Sequence, residues 1–264
     1  PTFLPLLEDS DPLHLHLVCF AVKTLQKLMD YSSSAVSLFK ESGGVELLSQ
    51  RLQSEVQRVI GLAGDNDNSL VIGESSRYSD NQLYSQKRLI KASLKALGSA
   101  TYAAGNSSRV QHSHDSSLPA TLSLIFGNVD KFGGDIYYSA VTVLSETIHK
   151  DPTCFSALHE MGLPDAFISS VVAGILPSAK ALTCVPNGLG AICLNAKGLE
   201  AVKESLALRF LVDIFTSKKY VTAMNEAIVP LANAVEELFR HVSSLRSTGV
   251  DIILEIIDKI ASFT

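Results

Sequence analysis

The segment MGLPDAFISSV, from Met161 to Val171, decides the fold because its pattern recurs along the chain. A small or turn-forming lead-in precedes an apolar helix start in four other places: SGGVELLSQRL, SSLPATLSLIF, SLALRFLVDIF and STGVDIILEII. The aligned apolar residues are Val45, Leu118, Leu163, Leu208 and Val250, with successive spacings of 73, 45, 45 and 42. A unit that recurs at such a spacing predicts a repeat architecture.

Each unit also carries further helical patterns between these starts. In DIYYSAVTVLSETIHK the apolar residues fall at i, i+4, i+7, i+8 and i+12, and Asp151-Pro152 ends the pattern. The residues concerned are Ile136, Ala140, Val143, Leu144 and Ile148. Connectors such as PTCFSALHEMG add a brief third helix, and no segment alternates with period two. We therefore expect an all-α solenoid of about five armadillo/HEAT-like repeats.

The long spacing of 73 residues contains a polar insert, GDNDNSLVIGESSRYSDNQLYSQ, from Gly64 to Gln86. Its Asp, Asn, Ser and Gly content predicts a flexible inserted loop at about 64–86. Removing about 28 residues there would restore the period. We expect a single repeat domain over 1–264, and because its first and last units have no polar cap, we expect a fragment of a longer solenoid.

Composition and charge narrow the class of protein. The 264 residues are 46% hydrophobic and 19% charged, with 22 basic and 27 acidic side chains and a net charge of -5. Without a long basic block, no nucleic-acid partner is expected. The longest apolar run, Val171 to Val185, contains Pro177 and Lys180 and is shorter than the roughly 20 residues that span a membrane, so no membrane partner is expected.

The cysteines indicate the compartment. All four lie in or beside apolar segments without CxxC spacing, which is typical of buried free thiols in a reducing environment. The N-terminus PTFLPLLEDSDP lacks a basic region ahead of an apolar one and does not resemble a secretory signal. We predict an intracellular protein, in the cytoplasm, the nucleus or both.

The segment LTCVPNGLGAICLNAKG, from Leu182 to Gly198, could form a thiol site, a metal site, a phosphate loop or a helix of a repeat. Cys184 and Cys193 would lie about 13 Å apart along a helix, too far to share a metal. The three glycines match no phosphate-binding motif. Instead Gly188 and Gly190 would permit close helix approach, and Pro186 is expected to kink or restart the helix.

The histidines give weaker evidence for a metal site or a catalytic pair. The pairs His14/His16 and His112/His114 have a spacing that points the two rings apart on a helix. His149 and His159 near Cys154 imitate a Cys-His pair, but no oxyanion or substrate context accompanies them. We predict no catalytic, cofactor-binding or metal-binding residue in this segment, and no cofactor or small-molecule substrate.

Four segments from about Ser116 to the end of the chain are similar to a known family: NVDKFGGDIYYSAVTVLSETIHKDPTCF, MGLPDAFISSVVAGILPSAKALTCVPNGLGAICLNAKGLEAVKE, ALRFLVDIFTSKKY and ELFRHVSSLRSTGVDIILEII. They resemble the N-terminal armadillo-like region of the giant HECT-type E3 ubiquitin-protein ligases, most closely the plant ubiquitin-protein ligases. In such ligases a C-terminal HECT domain carries the cysteine that transfers ubiquitin. None of the four cysteines here matches its motif, so the resemblance implies a ubiquitin transferase as the parent and no catalytic residue in this segment.

The resemblance implies a non-catalytic scaffold that presents or positions substrates, with protein substrates and other domains of the same ligase as partners. Candidate groove contacts are Thr142, Asn187 and Asn233, which recur 24, 24 and 25 residues past their aligned apolar residues. Alternatively, these are ordinary solvated positions. An armadillo-type peptide-binding transport adaptor is the competing function, but such receptors hold basic peptides with rows of Trp and Asn, and this chain has no Trp.

Overall fold

The computed structural model of the chain describes residues 3–65, 74–102 and 117–262. These residues form helices and connecting turns, with no β-strand among them, which confirms the all-α prediction. The chain divides into two compact units, Pro1–Phe132 and Gly133–Thr264. The single repeat domain expected over 1–264 stays a prediction.

The described part of the first unit contains seven α-helices. They are α1 (Leu4–Glu8), α2 (Leu15–Tyr31), α3 (Ser33–Glu41), α4 (Gly44–Asp65), α5 (Glu74–Tyr102), α6 (Ser117–Gly127) and α7 (Val129–Phe132). Ser32 separates α2 from α3, and its Oγ accepts the Ala35 N–H as an N-cap. Helix α5 packs along both α2 and α4, and α4 also packs against α1 and α6.

Two contacts show that α2 and α5 run parallel. The Ser99 hydroxyl donates to Asp30 Oδ1 at 2.6 Å, near the ends of the two helices. Ser85 Oγ lies 3.5 Å from His16 Nε2, near the start of α2. Each contact joins residues 69 apart in the sequence. The repeat spacing in the first unit is therefore longer than 45 residues, although α2 and α5 pack side by side like the equivalent helices of successive repeats.

The predicted inserted loop at about 64–86 is wrong over all of its described residues. Residues 66–73 lie outside the described residues, but Gly64 and Asp65 belong to α4, and residues 74–86 belong to α5. Ser85 and Gln86 are 6% and 1% exposed, so this polar stretch is partly packed in the unit. Its polar composition hid a helix that tertiary contacts stabilise.

The described part of the second unit contains eight α-helices. They are α8 (Gly134–Lys150), α9 (Phe155–Glu160), α10 (Leu163–Val172), α11 (Ala179–Ile192), α12 (Ala196–Glu204), α13 (Phe210–Thr216), α14 (Val221–His241) and α15 (Arg246–Ala261). Two three-helix repeats follow one another as α9–α11 and α12–α14. We call α8, α11 and α14 the third helices; α11 packs against both of the others, while α13 packs against α15.

The period read from the sequence is present in the contacts of this unit. Lys180 Nζ donates to Asp135 Oδ1 at 2.8 Å, and the Tyr220 hydroxyl donates to the Ile175 carbonyl at 2.7 Å. Both bonds join residues 45 apart. Equivalent positions of successive repeats therefore lie next to each other, and the predicted helical-repeat organisation is confirmed.

Local sequence signals place the helix ends. The Asp151 carboxylate accepts the Thr153 N–H at 3.1 Å, which stabilises the turn after α8. Gly162 adopts a left-handed conformation, with φ of 74°, between α9 and α10, and Pro164 occupies the first turn of α10. The five apolar residues predicted to form one stripe of α8 are all buried.

Candidate functional site

The three predicted groove residues lie on the three third helices. Thr142 is on α8 and half-buried, while Asn187 on α11 and Asn233 on α14 are exposed. Thr142 Oγ1 donates to the Tyr138 carbonyl of its own helix at 2.8 Å. Because equivalent positions in this unit are about 45 residues apart, Thr142 and Asn187 occupy equivalent positions of the neighbouring helices α8 and α11. Their role in binding stays a prediction.

Close packing beneath this row fixes the position of α11. A Cβ at Gly188 would lie 2.6 Å from Phe167 Cζ and 2.9 Å from Val141 Cγ1, so only glycine fits there. At Gly190 the nearest atom, Leu238 Cδ1, would be 3.5 Å away, an ordinary contact distance. The predicted role of glycine in close helix approach is therefore confirmed at Gly188 and wrong at Gly190.

Pro186 is expected to kink or restart the helix; the restart is wrong, since α11 runs from Ala179 to Ile192 with Pro186 inside it, and the kink stays a prediction. Pro186 is itself buried, and Val185 and Leu189 beside it are fully buried. Packing of this apolar face stabilises the helix despite the missing backbone N–H. Asn187 consequently projects from a continuous helix.

An ion pair joins two of the third helices, α8 and α11, at their solvent-exposed surface. Lys180 at the start of α11 pairs with Asp135 at the start of α8, and both side chains are about half exposed. Exposed pairs of this kind contribute about 0–1 kcal/mol. Tyr138, 41% exposed, adds an aromatic side chain one turn before Thr142. Sequence reasoning missed Tyr138; the signal was its place outside the predicted apolar stripe of α8.

The cysteines are free thiols, and Cys19 and Cys184 are buried. Burial raises the pKa of Cys184 well above its usual range, and raises the pKa of Cys193 to about 12. The pKa of Cys154 rises to about 11, mainly through burial and also through the nearby Asp151 carboxylate. Because the thiolate is the nucleophile, these three groups are poorly suited to covalent chemistry near neutral pH.

We expect the cysteines of the folded chain to react slowly with Ellman's reagent near neutral pH. A pKa raised from 9.0 to about 11 lowers the thiolate fraction of Cys154 about 100-fold, and burial also blocks access to Cys184. A Ser244→Cys variant supplies an exposed reference thiol, and unfolding in urea should release the native thiols. Labelling of Cys184 as fast as the introduced cysteine would contradict this expectation.

Among the described residues, the candidate histidines do not converge on a metal site. His14 Nδ1 lies 2.7 Å from Asp9 Oδ2, and the His159 ring stacks on Phe155 with 6.0 Å between ring centroids. His112 and His114 lie outside the described residues. Over residues 3–65, 74–102 and 117–262, no three His, Cys, Asp or Glu side chains are grouped to hold a metal ion. No helix in this described part of the chain has the length and apolar content needed to cross a membrane.

The repeated helices define the class of protein as an armadillo-type helical repeat. A designed armadillo repeat protein, YIII(Dq)4CqI, superposes with a TM-score of 0.51 over 92% of this chain and 87% of its own, at 16% sequence identity. The predicted armadillo-like fold is thereby confirmed.

The chain belongs to the family described as Domain of Unknown Function (DUF913), whose model matches residues 20–264. It is 42% identical over 98% of its length to the E3 ubiquitin-protein ligases UPL2 and UPL1 of Arabidopsis thaliana. It is 30% identical over 97% of its length to the E3 ubiquitin-protein ligase ptr1 of Schizosaccharomyces pombe. The chain spans only 7% or 8% of these relatives. The resemblance to HECT-type ubiquitin ligases is confirmed, and it begins well before Ser116.

Proposed function

We propose that this chain is a non-catalytic protein-interaction scaffold in the N-terminal arm of a HECT-type E3 ubiquitin ligase, where it presents or positions substrates for ubiquitination. The observation that carries the proposal is the similarity along 98% of the chain to proteins named E3 ubiquitin-protein ligases. Armadillo-type repeats support it, because stacked helices build extended binding surfaces. The partners are protein substrates and other domains of the same ligase.

The environment of the thiols supports a non-catalytic role. A cysteine that accepts ubiquitin must be accessible and easily deprotonated. Cys184 is buried, and the pKa values of Cys154 and Cys193 are raised to about 11 and 12. We therefore place the ubiquitin-accepting cysteine of the parent ligase outside this chain. Four free cysteines also suit an intracellular protein of the cytoplasm or nucleus.

We place substrate contacts on the row formed by the third helices of the second unit. Exposed amides at Asn187 and Asn233 each offer a donor and an acceptor, which suits the backbone of a bound segment. Thr142 occupies the equivalent position on the neighbouring helix α8, and Tyr138 offers an exposed ring. Aromatic side chains are enriched among the residues that dominate binding energy.

The test uses the full-length ligase with Asn187→Ala and Asn233→Ala combined. Both side chains are exposed, so the fold should be retained. Ubiquitination of proteins that crosslink to this chain should fall about 5–10-fold, as for the loss of one or two good contacts. The thioester between the ligase and ubiquitin should form at its normal rate, since the catalytic domain is unchanged.

Gln50→Ala is the matched control, because it removes an exposed amide from α4 in the first unit. It should leave substrate ubiquitination unchanged. Equal ubiquitination by the Asn187/Asn233 variant and the control would reject these groove contacts. If deletion of the whole chain left every substrate modified as before, the scaffold role itself would be rejected.

A further inference from the structure

Helix α2 has a second apolar face that the described residues of the first unit leave exposed. Phe20, Leu28 and Tyr31 are 68%, 47% and 91% exposed. They lie opposite the buried face formed by Val18 and Met29. Large exposed aromatic side chains on an ordered helix indicate an interaction surface when they occur together.

These side chains line a groove that runs along α2, with a volume of about 530 Å³. Lys23 and Lys27 line the same groove between the aromatic side chains. A smaller cleft between α2 and α5 shares Phe20 and Lys23 and adds Arg88 of α5. We call the two together the α2 groove.

The charge of the α2 groove is positive, although the chain carries a net charge of -5. Lys23 and Lys27 are exposed, and within the described residues neither has a carboxylate partner. Arg88 lies over the Tyr84 ring, with 5.8 Å from Cζ to the ring centroid. Asp30, at the end of α2, already accepts hydrogen bonds from Ser99 and Gln26 and does not line the groove.

Two long helices of the second unit carry carboxylates, not lysines, on their exposed faces before the last turn. In the second unit, the exposed face of α8 carries Asp135 and Glu146, and that of α14 carries Glu236 and Glu237. Lysines at the α2 groove are therefore not a general property of the repeat. The packed junction under α11 is apolar instead, so a groove with two lysines is poorly suited to burial against another helix of this kind.

We propose that the α2 groove binds an acidic peptide segment carrying aromatic or aliphatic anchors, on a protein partner of the scaffold; this inference rests on the proposed function. Opposite charges along a groove steer and orient such a segment. Phe20 and Tyr31 supply the aromatic contacts that dominate binding energy. The stretch between them is about 16 Å long, which matches about five residues of extended chain.

A short acidic peptide fits this surface better than a nucleic acid does. Lys23, Lys27 and Arg88 line a short groove, and the net charge of -5 opposes a polyanion that extends far beyond it. Aliphatic Leu28 inside the groove suits an apolar anchor rather than a base. Single-stranded DNA is therefore the alternative that the experiment must reject.

The experiment measures fluorescence anisotropy of a labelled peptide of about a dozen residues, in which Glu and Asp alternate with Phe and Leu, against the 264-residue chain. An isosteric peptide with Gln and Asn, and an oligo-dT of similar length, are the competing probes. Lys23→Glu with Lys27→Glu should weaken binding of the acidic peptide at least about 10-fold. Lys197→Glu with Lys218→Glu, at two exposed lysines of the second unit, should change it less than about 2-fold.

Both double variants replace exposed side chains, and circular dichroism confirms that each is folded before binding is compared. Phe20→Ala should weaken binding as well, since it removes an apolar anchor while leaving the charges in place. No binding of the acidic peptide, equal loss in both double variants, or tighter binding of oligo-dT would each overturn the proposal. Such a failure leaves the ubiquitination test intact, because that test changes residues of the second unit.

Discussion

Replacing Glu55 by alanine is expected to lower the free energy of unfolding by about 3–5 kcal/mol, because it leaves a buried guanidinium without its counter-charge. Glu55 is fully buried, and Arg51 is 7% exposed. Arg51 Nε and Arg58 Nη1 both donate to Glu55 Oε1, at 2.9 and 3.0 Å. Arg51 Nη1 also donates to the carbonyls of Leu7, at 3.0 Å, and Asp9. The cluster thus ties α4 to the end of α1, and urea unfolding measures its loss.

Two further variants test whether the loss of stability comes from the unpaired Arg51 charge or from any substitution in α4. Arg58→Ala removes a side chain that is 41% exposed and should cost less than about 1 kcal/mol. Arg51→Met combined with Glu55→Leu removes both buried charges and should be less destabilising than Glu55→Ala alone. A loss below about 1 kcal/mol for Glu55→Ala would show that the Arg51 charge is not buried in solution.

Most helices of the second unit could be predicted from the sequence, because apolar periodicity and turn residues determine each helix from residues close to it in the chain. The 45-residue spacing reappears in hydrogen bonds between equivalent positions, such as Tyr220 to Ile175. The predicted stripe of α8 is buried throughout. Periodicity and turn residues fix helices locally, and repetition then determines which helices become neighbours.

In helix α14, apolar periodicity does not correctly predict which face is buried. The apolar spacing in MNEAIVPLANAVEELFRH predicts one buried stripe of Met224, Ile228, Leu231, Val235 and Leu238. Leu231 and Leu238 are buried, but Ile228 is 43% exposed. The buried residues include Ala223 and Ala227, which are small enough to allow close approach to α11. The helix is rotated toward its alanines, because the shape of the neighbour decides which face is buried.

Some of the candidate binding residues could be predicted from the sequence and others could not. The positions of Thr142, Asn187 and Asn233 follow from the repeat offset, so the sequence predicts which helices carry them. The α2 groove could not be predicted, since the exposure of Phe20 depends on where α5 packs, and the polar start of α5 conceals that helix. The Arg51 cluster was also hidden, because its bonds to Leu7 and Asp9 span 44 and 42 residues.

Gly188→Ala is expected to lower the free energy of unfolding by about 1–3 kcal/mol, because the added methyl group overpacks the junction of α11 with α8 and α10. The new Cβ would lie 2.6 Å from Phe167 Cζ and 2.9 Å from Val141 Cγ1. Phe167 and Val141 are both fully buried, so neither can move aside without displacing its own neighbours. The midpoint of urea unfolding, measured by circular dichroism, tests this expectation.

Gly190→Ala is the matched control, one half-turn further along the same helix. Its Cβ would meet only Leu238 Cδ1, at 3.5 Å, so the change should be neutral or stabilising by up to about 1 kcal/mol through helix propensity. Gly188→Ala should also move Asn187 relative to Thr142 and weaken substrate capture, whereas Gly190→Ala should not. Equal stability of the two variants would show that α11 can withdraw from α8, and the row of third helices would then not be a rigid surface.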